Sequence, residues 1–384
     1  MATATLVACG GGGGNASTGT LQLAMTDSPG CGYDHVYVTV NKIRVHQSAT
    51  ADDGASGWQE VIVPIPQKID LLSLTNGVLQ ELGSLPMPPG RYEQVRLVLS
   101  NATLANALVL SGTSNEVALT TPSGQQSGYK LQAHFDVAAN QVADMVLDFD
   151  ACKSIVRAGN FGNYNLKPVV AVTKRLSTQI EGYVDPAIAS SVVVSTRDPD
   201  NQLRATVPDS TTGKFVIAYL PENTNYTVTI SGTGRTTAAV TGVPVSTAIG
   251  STQLNTAASP ILPPTSTTAQ ISGTVTDAST PPQPLLEASV NAQQTLSTSQ
   301  ALDVAWSLVD PSTAGYTLTL PLAAPIRASY VGNGGPLSFT ADSITPGAYK
   351  VYGAADGYTA QTTDPNVTLG AAGSTTTKNL VLAP

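Results

Sequence analysis

The chain has 384 residues, of which only 11% are charged, and its formal net charge at pH 7 is -8. Its 18 basic residues are scattered, almost all of them singly, and cannot neutralise a row of phosphates, which argues against nucleic acid as a partner. Ordinary soluble proteins carry about 25% charged residues; this sparse charge, with Thr, Ser, Gly and Pro punctuating short apolar runs, is typical of exported all-β domains.

The first predicted element is a membrane anchor. Leu6–Ala8 is a short apolar run before Cys9, and Gly10–Gly14 follow. This stretch resembles the lipobox of bacterial lipoproteins, which implies an acylated Cys9, a flexible tether and, since residue 10 is not aspartate, the outer membrane. The sequence contains no run of about 18 apolar residues, the length that a membrane-spanning helix needs. Residues 1–8 lack the basic residues of a signal segment, so a free Cys9 in a disordered tail is the alternative.

The two other cysteines predict a disulfide bond. With Cys9 acylated, Cys31 and Cys152 remain, an even number in an export compartment where disulfides persist. We therefore expect Cys31 and Cys152 to be paired. The alternative is two buried free thiols.

Alternating Val residues predict a long strand over His35–His46. The apolar positions step by three near Asn41 and Lys42, and a β-bulge there would restore the pleat. Further on, Asn76-Gly77 is a hairpin-type turn dipeptide. Asn165–Val172 is predicted as the last strand of this unit.

Several ordered motifs in this region carry a family resemblance. They are TDSPGCGYDHVYVTVNKIRVH from residue 26, DLLSLTNG from 70, PPGRYEQVRLVL from 88, LDFDACKSIV from 147 and YNLKPVVAV from 164. Together they resemble DUF4382, a domain of unknown function found in bacterial lipoproteins, over roughly residues 20–174. The resemblance implies an exported β-sandwich and transfers no catalytic residue.

The chain then repeats a pattern. IEGYV at 180–184 and ISGTV at 271–275 each open a unit, and a Pro/Thr-rich stretch, Ser259–Thr268, separates the two units as a semi-rigid linker that we expect not to pair as a strand. Both units resemble transthyretin-like or carboxypeptidase-regulatory-like sandwiches, which belong to a carbohydrate-binding-like fold group. Leu285–Tyr330 has no counterpart in the second unit and is either an inserted hairpin or a misassigned register.

The predicted fold is all-β, with three β-sandwich domains (Ig-like or transthyretin-like) in tandem after a flexible, lipidated N-terminal tether. The predicted boundaries are 1–19 for the signal remnant, lipobox and tether, 20–176 for the DUF4382-like sandwich, 177–257 for a small transthyretin-like sandwich, 258–268 for the linker and 269–384 for a second transthyretin-like sandwich with an insertion.

No set of residues indicates catalysis. The sequence has no G-x-S-x-G, P-loop or H-E-x-x-H motif, and we expect no cofactor and no metal. Asp144, Asp148 and Asp150 are weak candidates for calcium ligands; the alternative is a solvated outer strand face.

Two tryptophans are candidates for stacking on a sugar. Trp58 lies in a loop rich in glycine and acidic residues and is predicted as an exposed ligand contact. Trp306 alternates with Val304 and Leu308 and is predicted to belong to a core.

These observations predict a non-catalytic cell-envelope lipoprotein. It would act as a surface binding or spacer module that contacts a polysaccharide or an envelope protein, held to the membrane by its lipid. The alternatives are an accessory protein of a glycan-active enzyme, a weak hydrolase with two buried carboxylates in a cleft, and a purely structural stalk.

Overall fold

The computed structural model describes residues 17–28, 33–63, 66–121, 127–158, 163–332, 334–355, 357–363 and 366–384. In these residues the chain is all-β, and its strands form several β-sandwich-like domains around three hydrophobic cores. The helical structure of the described residues consists of α1 (Ala151–Ser154) and the 3-10 helices Leu71–Leu74 and Pro186–Ser191. Within these ranges, no helix has the length and apolar character to cross a membrane.

The first unit holds the strands up to residue 174. They are β1 (Gly19–Ser28), β2 (Tyr33–His46), β3 (Gln59–Ile62), β4 (Lys68–Asp70), β5 (Gln80–Met87), β6 (Gly90–Leu99), β7 (Ala107–Leu110), β8 (Glu116–Thr120), β9 (Tyr129–Val137), β10 (Val142–Asp150), β11 (Ile155–Ala158), β12 (Asn163–Leu166) and β13 (Val170–Lys174). One sheet has the order β13-β10-β1-β5; the other has the order β11-β12-β8-β7-β2-β6-β9, with β3 and β4 also on β2.

The long strand β2 contains the predicted bulge. Its pairing with β6 shifts register between Val40 and Lys42, which moves the inward phase from Val40 to Ile43. Val40, Ile43 and Val45 are all at most 1% exposed. The bulge prediction is confirmed, because a pleat without it would turn one half of this apolar set to solvent.

The prediction of one strand over Asn165–Val172 is wrong. The chain forms β12, leaves the sheet at residues 167–169 and enters the opposite sheet as β13. Pro168 lies in this crossing and has no N–H to donate to a ladder. The apolar run is therefore divided between the two sheets.

The second and third units have the same strand topology. The second contains β14 (Gln179–Tyr183), β15 (Val192–Arg197), β16 (Leu203–Thr206), β17 (Lys214–Ala218), β18 (Asn223–Gly232), β19 (Ala238–Val245) and β20 (Ser251–Gln253). The region after the linker contains β21 (Thr268–Asp277), β22 (Ser289–Thr295), β23 (Ala301–Leu308), β24 (Gly315–Pro321), β25 (Ile326–Ser329), β26 (Thr340–Ala341), β27 (Ala348–Ala354), β28 (Gln361–Thr362), β29 (Val367–Thr368), β30 (Thr375–Thr377) and β31 (Leu380–Leu382).

The opening strands of the two units have equivalent neighbours. β14 lies between antiparallel β17 and parallel β20, and β21 lies between antiparallel β24 and parallel β30. A Cβ on Gly182 would come within 2.7 Å of Asn255 Oδ1, and one on Gly273 within 2.0 Å of the Lys378 carbonyl oxygen. The repeated motif therefore requires glycine at this position, because another segment of the same chain packs too closely for a Cβ.

Leu285–Tyr330 does have counterparts in the second unit. β22 pairs with β23 and β27 as β15 pairs with β16 and β18, so β22, β23 and β24 correspond to β15, β16 and β17. The additional piece is β25–β26. It lies outside the third unit's own sheets.

β25 completes the sheet of the second unit. That sheet has the order β16-β15-β18-β19-β25-β26, with Ile326 N donating to the Thr237 carbonyl at 2.9 Å and Tyr330 N to the Thr241 carbonyl at 2.9 Å. Ile326, Tyr330, Leu337 and Phe339 pack on the second core. The third unit thus covers an edge that would otherwise present unpaired backbone groups.

The Pro/Thr stretch is attached along the second unit. Ile261 is 3% exposed and forms a bridge with Val184, and Thr265 forms a bridge with Arg235. The expectation that this stretch does not pair is wrong at these two positions and at Thr268, which begins β21 and pairs with Pro321. Before Thr268, prolines confine the pairing to isolated bridges, because they remove donors between them.

A buried tyrosine anchors each core. Tyr92, Tyr226 and Tyr349 are each at most 1% exposed. Their hydroxyls donate to proline carbonyls, those of Pro88 at 3.0 Å, Pro221 at 2.8 Å and Pro321 at 2.6 Å. Each unit can therefore bury a large ring while its hydroxyl keeps a partner.

The shared strand predicts that a cut chain stays together. A protease site inserted between Ala257 and Ala258, which lie in an exposed turn, would allow the backbone to be cut between the second and third cores. Because β25 stays in the sheet of the second unit, the cleaved chain should elute in size-exclusion chromatography at the volume of the uncut chain. Two separately eluting folded fragments would contradict the shared strand.

Candidate functional site

A cleft lies where the three units meet. Trp306 on β23 lines three adjoining hollows, two of which measure about 820 Å³ and about 720 Å³. The larger is also lined by Lys153 of the first unit, Arg197 of the second and Tyr352 of the third. We call this the Trp306 cleft. Clefts at domain boundaries are a preferred place for ligands.

The third unit contributes a row of side chains across three strands. Asn291 on β22 pairs with Trp306 on β23 and with Tyr352 on β27. Residues directly opposite each other share one face of a sheet, and all three are half-buried. The next residues along the strands, Ala292 and Val351, point to the opposite face and are fully buried in the third core. The row therefore lies on the outward face of this sheet.

An ion pair between units borders this row. The guanidinium of Arg197 donates to Asp303 through Nε and Nη2, both at 2.7 Å. Asn291 Nδ2 and Gln293 Nε2 donate to the same carboxylate at 2.6 and 2.8 Å. Burial alone would raise the pKa of Asp303, but the hydrogen bonds and charge of Arg197 and the two amides outweigh it and lower that pKa.

The first unit contributes cations. Lys153 Nζ lies 5.8 Å from the centre of the Trp306 ring and 2.7 Å from Asp150 Oδ2. Lys167 Nζ donates to the Leu286 carbonyl at 2.7 Å, and burial lowers the pKa of Lys167. Asp150 also accepts from the Lys153 amide at 3.0 Å and so caps α1. This short helix thereby presents Lys153 to the cleft.

The prediction that Trp306 belongs to a core is wrong. The pairing of β22 with β23 shifts register between Ala292 and Gln293, so the residues of β23 do not keep one inward phase. Residues 303–308 are all half-buried, and Trp306 lies in the cleft. Val304, Trp306 and Leu308 alternate without a step, so the apolar pattern of β23 gives no sign of this bulge.

The aspartate row of β10 is not a solvated outer face. The Asp148 and Asp150 side chains are 16% and 11% exposed, and each of the three carboxylates lies within 4 Å of a basic side chain. Asp144 lies 3.7 Å from Arg175, Asp148 lies 3.6 Å from Arg204 of the second unit, and Asp150 pairs with Lys153. Within the residues that the structure describes, no three His, Cys, Asp or Glu side chains are grouped to hold a metal ion.

Comparison with known proteins places the first unit in a family. Residues 18–168 match the model described as "Domain of unknown function (DUF4382)". These residues form a DUF4382 domain. The resemblance read from the motifs is confirmed over this range, and none of the curated proteins matches the chain.

Solved structures with some likeness to the chain include surface proteins. The Bacillus anthracis TIE protein is 12% identical with a TM-score of 0.21, over 96% of this chain and 51% of that one. The Corynebacterium diphtheriae major pilin SpaA is 11% identical with a TM-score of 0.20, over 94% and 100%. The pilus adhesin SpaC of Lactobacillus rhamnosus GG is 11% identical with a TM-score of 0.15, over 96% and 44%. The chain spans about half the length of the TIE protein, and likeness this low carries no functional argument.

Trp58 of the DUF4382 domain lies among cations. Its ring centre is 4.5 Å from the Arg44 guanidinium and 4.8 Å from that of Arg96, and its Nε1 donates to the Asp52 carbonyl at 2.9 Å. The His46 ring centre lies 5.0 Å away. Trp58 is half-buried, so its role as a ligand contact stays a prediction.

Asp27 is a buried carboxyl of the DUF4382 domain, and the only sign of it in the sequence is its place in a turn motif, TDSP from residue 26. Asp27 is 4% exposed, and its Oδ1 accepts the Ala151 amide at 3.0 Å while Oδ2 has no partner among the described residues. Burial, followed by the charge of Asp150, raises the pKa of Asp27 well above its usual value. A cavity of about 20 Å³, enough for one water, adjoins it and is also lined by Asp148 and Arg204.

The cysteine predictions lie largely outside the described residues. Cys9 and Cys31 are not among them, and for Cys152 the structure describes the backbone, in α1. Acylation of Cys9 and the pairing of Cys31 with Cys152 stay predictions.

Asp27→Asn should stabilise the protein at neutral pH. Because the native pKa of Asp27 is raised above the unfolded value, the native carboxyl retains its proton to higher pH, and stability falls as pH rises from about 4 toward the native pKa. An amide avoids that loss and can keep the bond to Ala151. We expect a melting temperature at pH 7 about 2–4 °C higher, as about 1 kcal/mol gives in a domain of this size.

The gain from Asp27→Asn should disappear below about pH 4, where both states hold the proton. Asp136→Asn, at an exposed position of β9, is the matched control and should stay within about 0.5 kcal/mol of the parent at every pH. A gain at pH 7 that persists undiminished at pH 3 would show that titration of Asp27 is not its cause.

Trp58→Ala should lower the free energy of unfolding by about 1–2 kcal/mol. The change removes two cation–π contacts of about 0.5–1 kcal/mol each and one hydrogen bond. Trp58→Phe keeps an aromatic face and should lose less than half as much. Urea denaturation measures both, and equal stability of Trp58→Ala and the parent would contradict a stabilising role for these contacts.

Proposed function

We propose that this chain is an exported, non-catalytic cell-envelope protein that acts as a surface binding or spacer module. Cys9 would be acylated, Gly10–Gly14 would form the tether, and the outer membrane would be the site of attachment. The lipobox-like residues and the DUF4382 match over residues 18–168 support this proposal. The partner would be a polysaccharide or an envelope protein.

The observation that carries the proposal is the joining of three cores around one cleft. Beside the shared strand β25, Asn76 of the DUF4382 domain accepts the Val216 amide at 2.9 Å, and Tyr219 donates to the Gly77 carbonyl at 2.7 Å. Arg197 joins the second unit to Asp303 of the third. Such contacts restrict motion between units, which suits a spacer or a preorganised binding surface.

The carboxylates near the cleft support a role without catalysis. A glycosidase needs a carboxylic acid with a raised pKa beside a second carboxylate. Asp303 has a lowered pKa, and Asp150 is paired with Lys153. Asp27 has a strongly raised pKa, but its cavity of about 20 Å³ holds no more than a water.

Membrane attachment is tested by changing Cys9. Expressed in a bacterial host behind a lipoprotein leader, the parent should enter the detergent phase and incorporate labelled palmitate. Cys9→Ala should move to the aqueous phase, because two or more acyl chains are needed for firm anchoring and the variant has none. Thr18→Ala is the control and should behave as the parent. Detergent partitioning of Cys9→Ala equal to that of the parent would overturn the lipoprotein assignment.

A further inference from the structure

We propose that the Trp306 cleft binds an acidic oligosaccharide, in which uronic acid carboxylates meet the lysines of the DUF4382 domain while sugar rings stack on Trp306. This inference rests on the proposed binding function and names the ligand class of that site. It is drawn from three observations: the aromatic row, the polar groups beside it and the balance of charge around it.

The aromatic row provides two places for sugar rings. Trp306 and Tyr352 flank Asn291 on strands two spacings apart, about 10 Å, a distance that two sugars of one chain can bridge when one sugar lies between them. Both rings are half-buried and line the cleft. Aromatic rings combine a large apolar face with a polar edge, and the C–H face of a pyranose can stack on such a surface.

Groups that bind hydroxyls stand beside the rings. Asn291 and Gln293 both line the larger hollow, and amide side chains can donate hydrogen bonds to hydroxyls and accept them from hydroxyls. Gln293 and Asn291 are held in place by their bonds to Asp303. The polar part of the site is therefore preorganised, which reduces the entropy lost on binding.

The charge around the cleft selects an acidic sugar over a neutral one. Although the chain carries a net charge of -8, five of its 18 basic residues line the three hollows, against four of its 26 acidic residues. The basic residues are Lys130, Lys153, Arg157, Lys167 and Arg197, and the acidic ones are Asp148, Asp150, Glu287 and Asp310. Asp303, paired with Arg197, and Asp150, paired with Lys153, offset part of this charge. Basic residues are still better represented at the cleft than in the whole chain, which favours a ligand with carboxylates.

The position of Lys153 links the charge to the stacking. Its ammonium lies 5.8 Å from the Trp306 ring centre. A carboxylate on a sugar stacked over that ring would come within reach of Lys153, and Lys130, which is exposed and lines the same hollow, can meet the next carboxylate.

The test uses the full chain with two substitutions. Cys9→Ala keeps the protein in solution, and Trp58→Phe removes one of the two tryptophans, so that Trp306 alone reports by fluorescence. Titration with hexagalacturonate should shift the fluorescence of Trp306 in a saturable way. Raising NaCl from 50 to 500 mM should weaken binding several-fold, because carboxylate–lysine contacts are screened. Maltohexaose, a neutral hexasaccharide, should bind at least tenfold more weakly.

Three variants of this background assign the contacts by calorimetry. Trp306→Ala should weaken hexagalacturonate binding at least tenfold, whereas Trp306→Phe, which keeps an aromatic face, should weaken it less. Lys153→Met should weaken binding at least fivefold for hexagalacturonate while leaving any binding of maltohexaose unchanged. Thermal melts check that each variant is folded.

Failure of this inference is distinguishable from failure of the proposed function. Hexagalacturonate that causes no fluorescence shift, or that binds no better than maltohexaose, overturns the acidic-sugar site, while the Cys9 partition experiment reports independently on the anchored protein. Binding that survives both Trp306→Ala and Lys153→Met places the ligand elsewhere and equally overturns the inference.

Discussion

The open edge of β19 is the constraint on which the arrangement of the molecule depends. A sheet edge presents unpaired N–H and C=O groups, and leaving it open exposes the chain to pairing with another copy. Here β25 covers the edge with parallel hydrogen bonds and carries Tyr330 and Phe339 onto the second core. In the sequence, β25 lies between β24 and β27 of the third unit, so its place in the sheet of the second unit fixes the second and third cores against each other. This arrangement sets the orientation of the Trp306 cleft.

Two ion pairs of the described residues join neighbouring units. Charged residues are few, yet Arg204 reaches Asp148 across the first junction and Arg197 reaches Asp303 across the second. A partly buried pair gives little net stability, since desolvation offsets the attraction. Its value lies in orientation, because an Arg–carboxylate fork tolerates one geometry and a misaligned unit would leave a charge unpaired. The cleft is bounded by groups whose positions are set in this way.

The second and third units show how one plan can serve two roles. Both bury a tyrosine that donates to a proline carbonyl, and both open with a strand whose central glycine lies against a neighbouring chain. In the second unit β16 provides Arg204 for the junction with the DUF4382 domain. In the third unit the equivalent strand, β23, provides Trp306 and Asp303 for the cleft. The shared topology fixes the backbone, and the outward side chains, which the core does not constrain, set what each face contacts.

The amino-acid sequence by itself determined the all-β class, the bulge at Asn41–Lys42, the repeat at Ile180 and Ile271 and the DUF4382 domain, because these are local patterns of alternation, turn residues and ordered motifs. Only the tertiary structure decided that Trp306 lies in a cleft, that Asp148 faces Arg204 and that Asp27 is buried beside Asp150. It likewise decided that β25 pairs with β19. These facts depend on contacts between residues far apart in the chain, and a period of two along one strand cannot distinguish a face that meets solvent from a face that meets another unit.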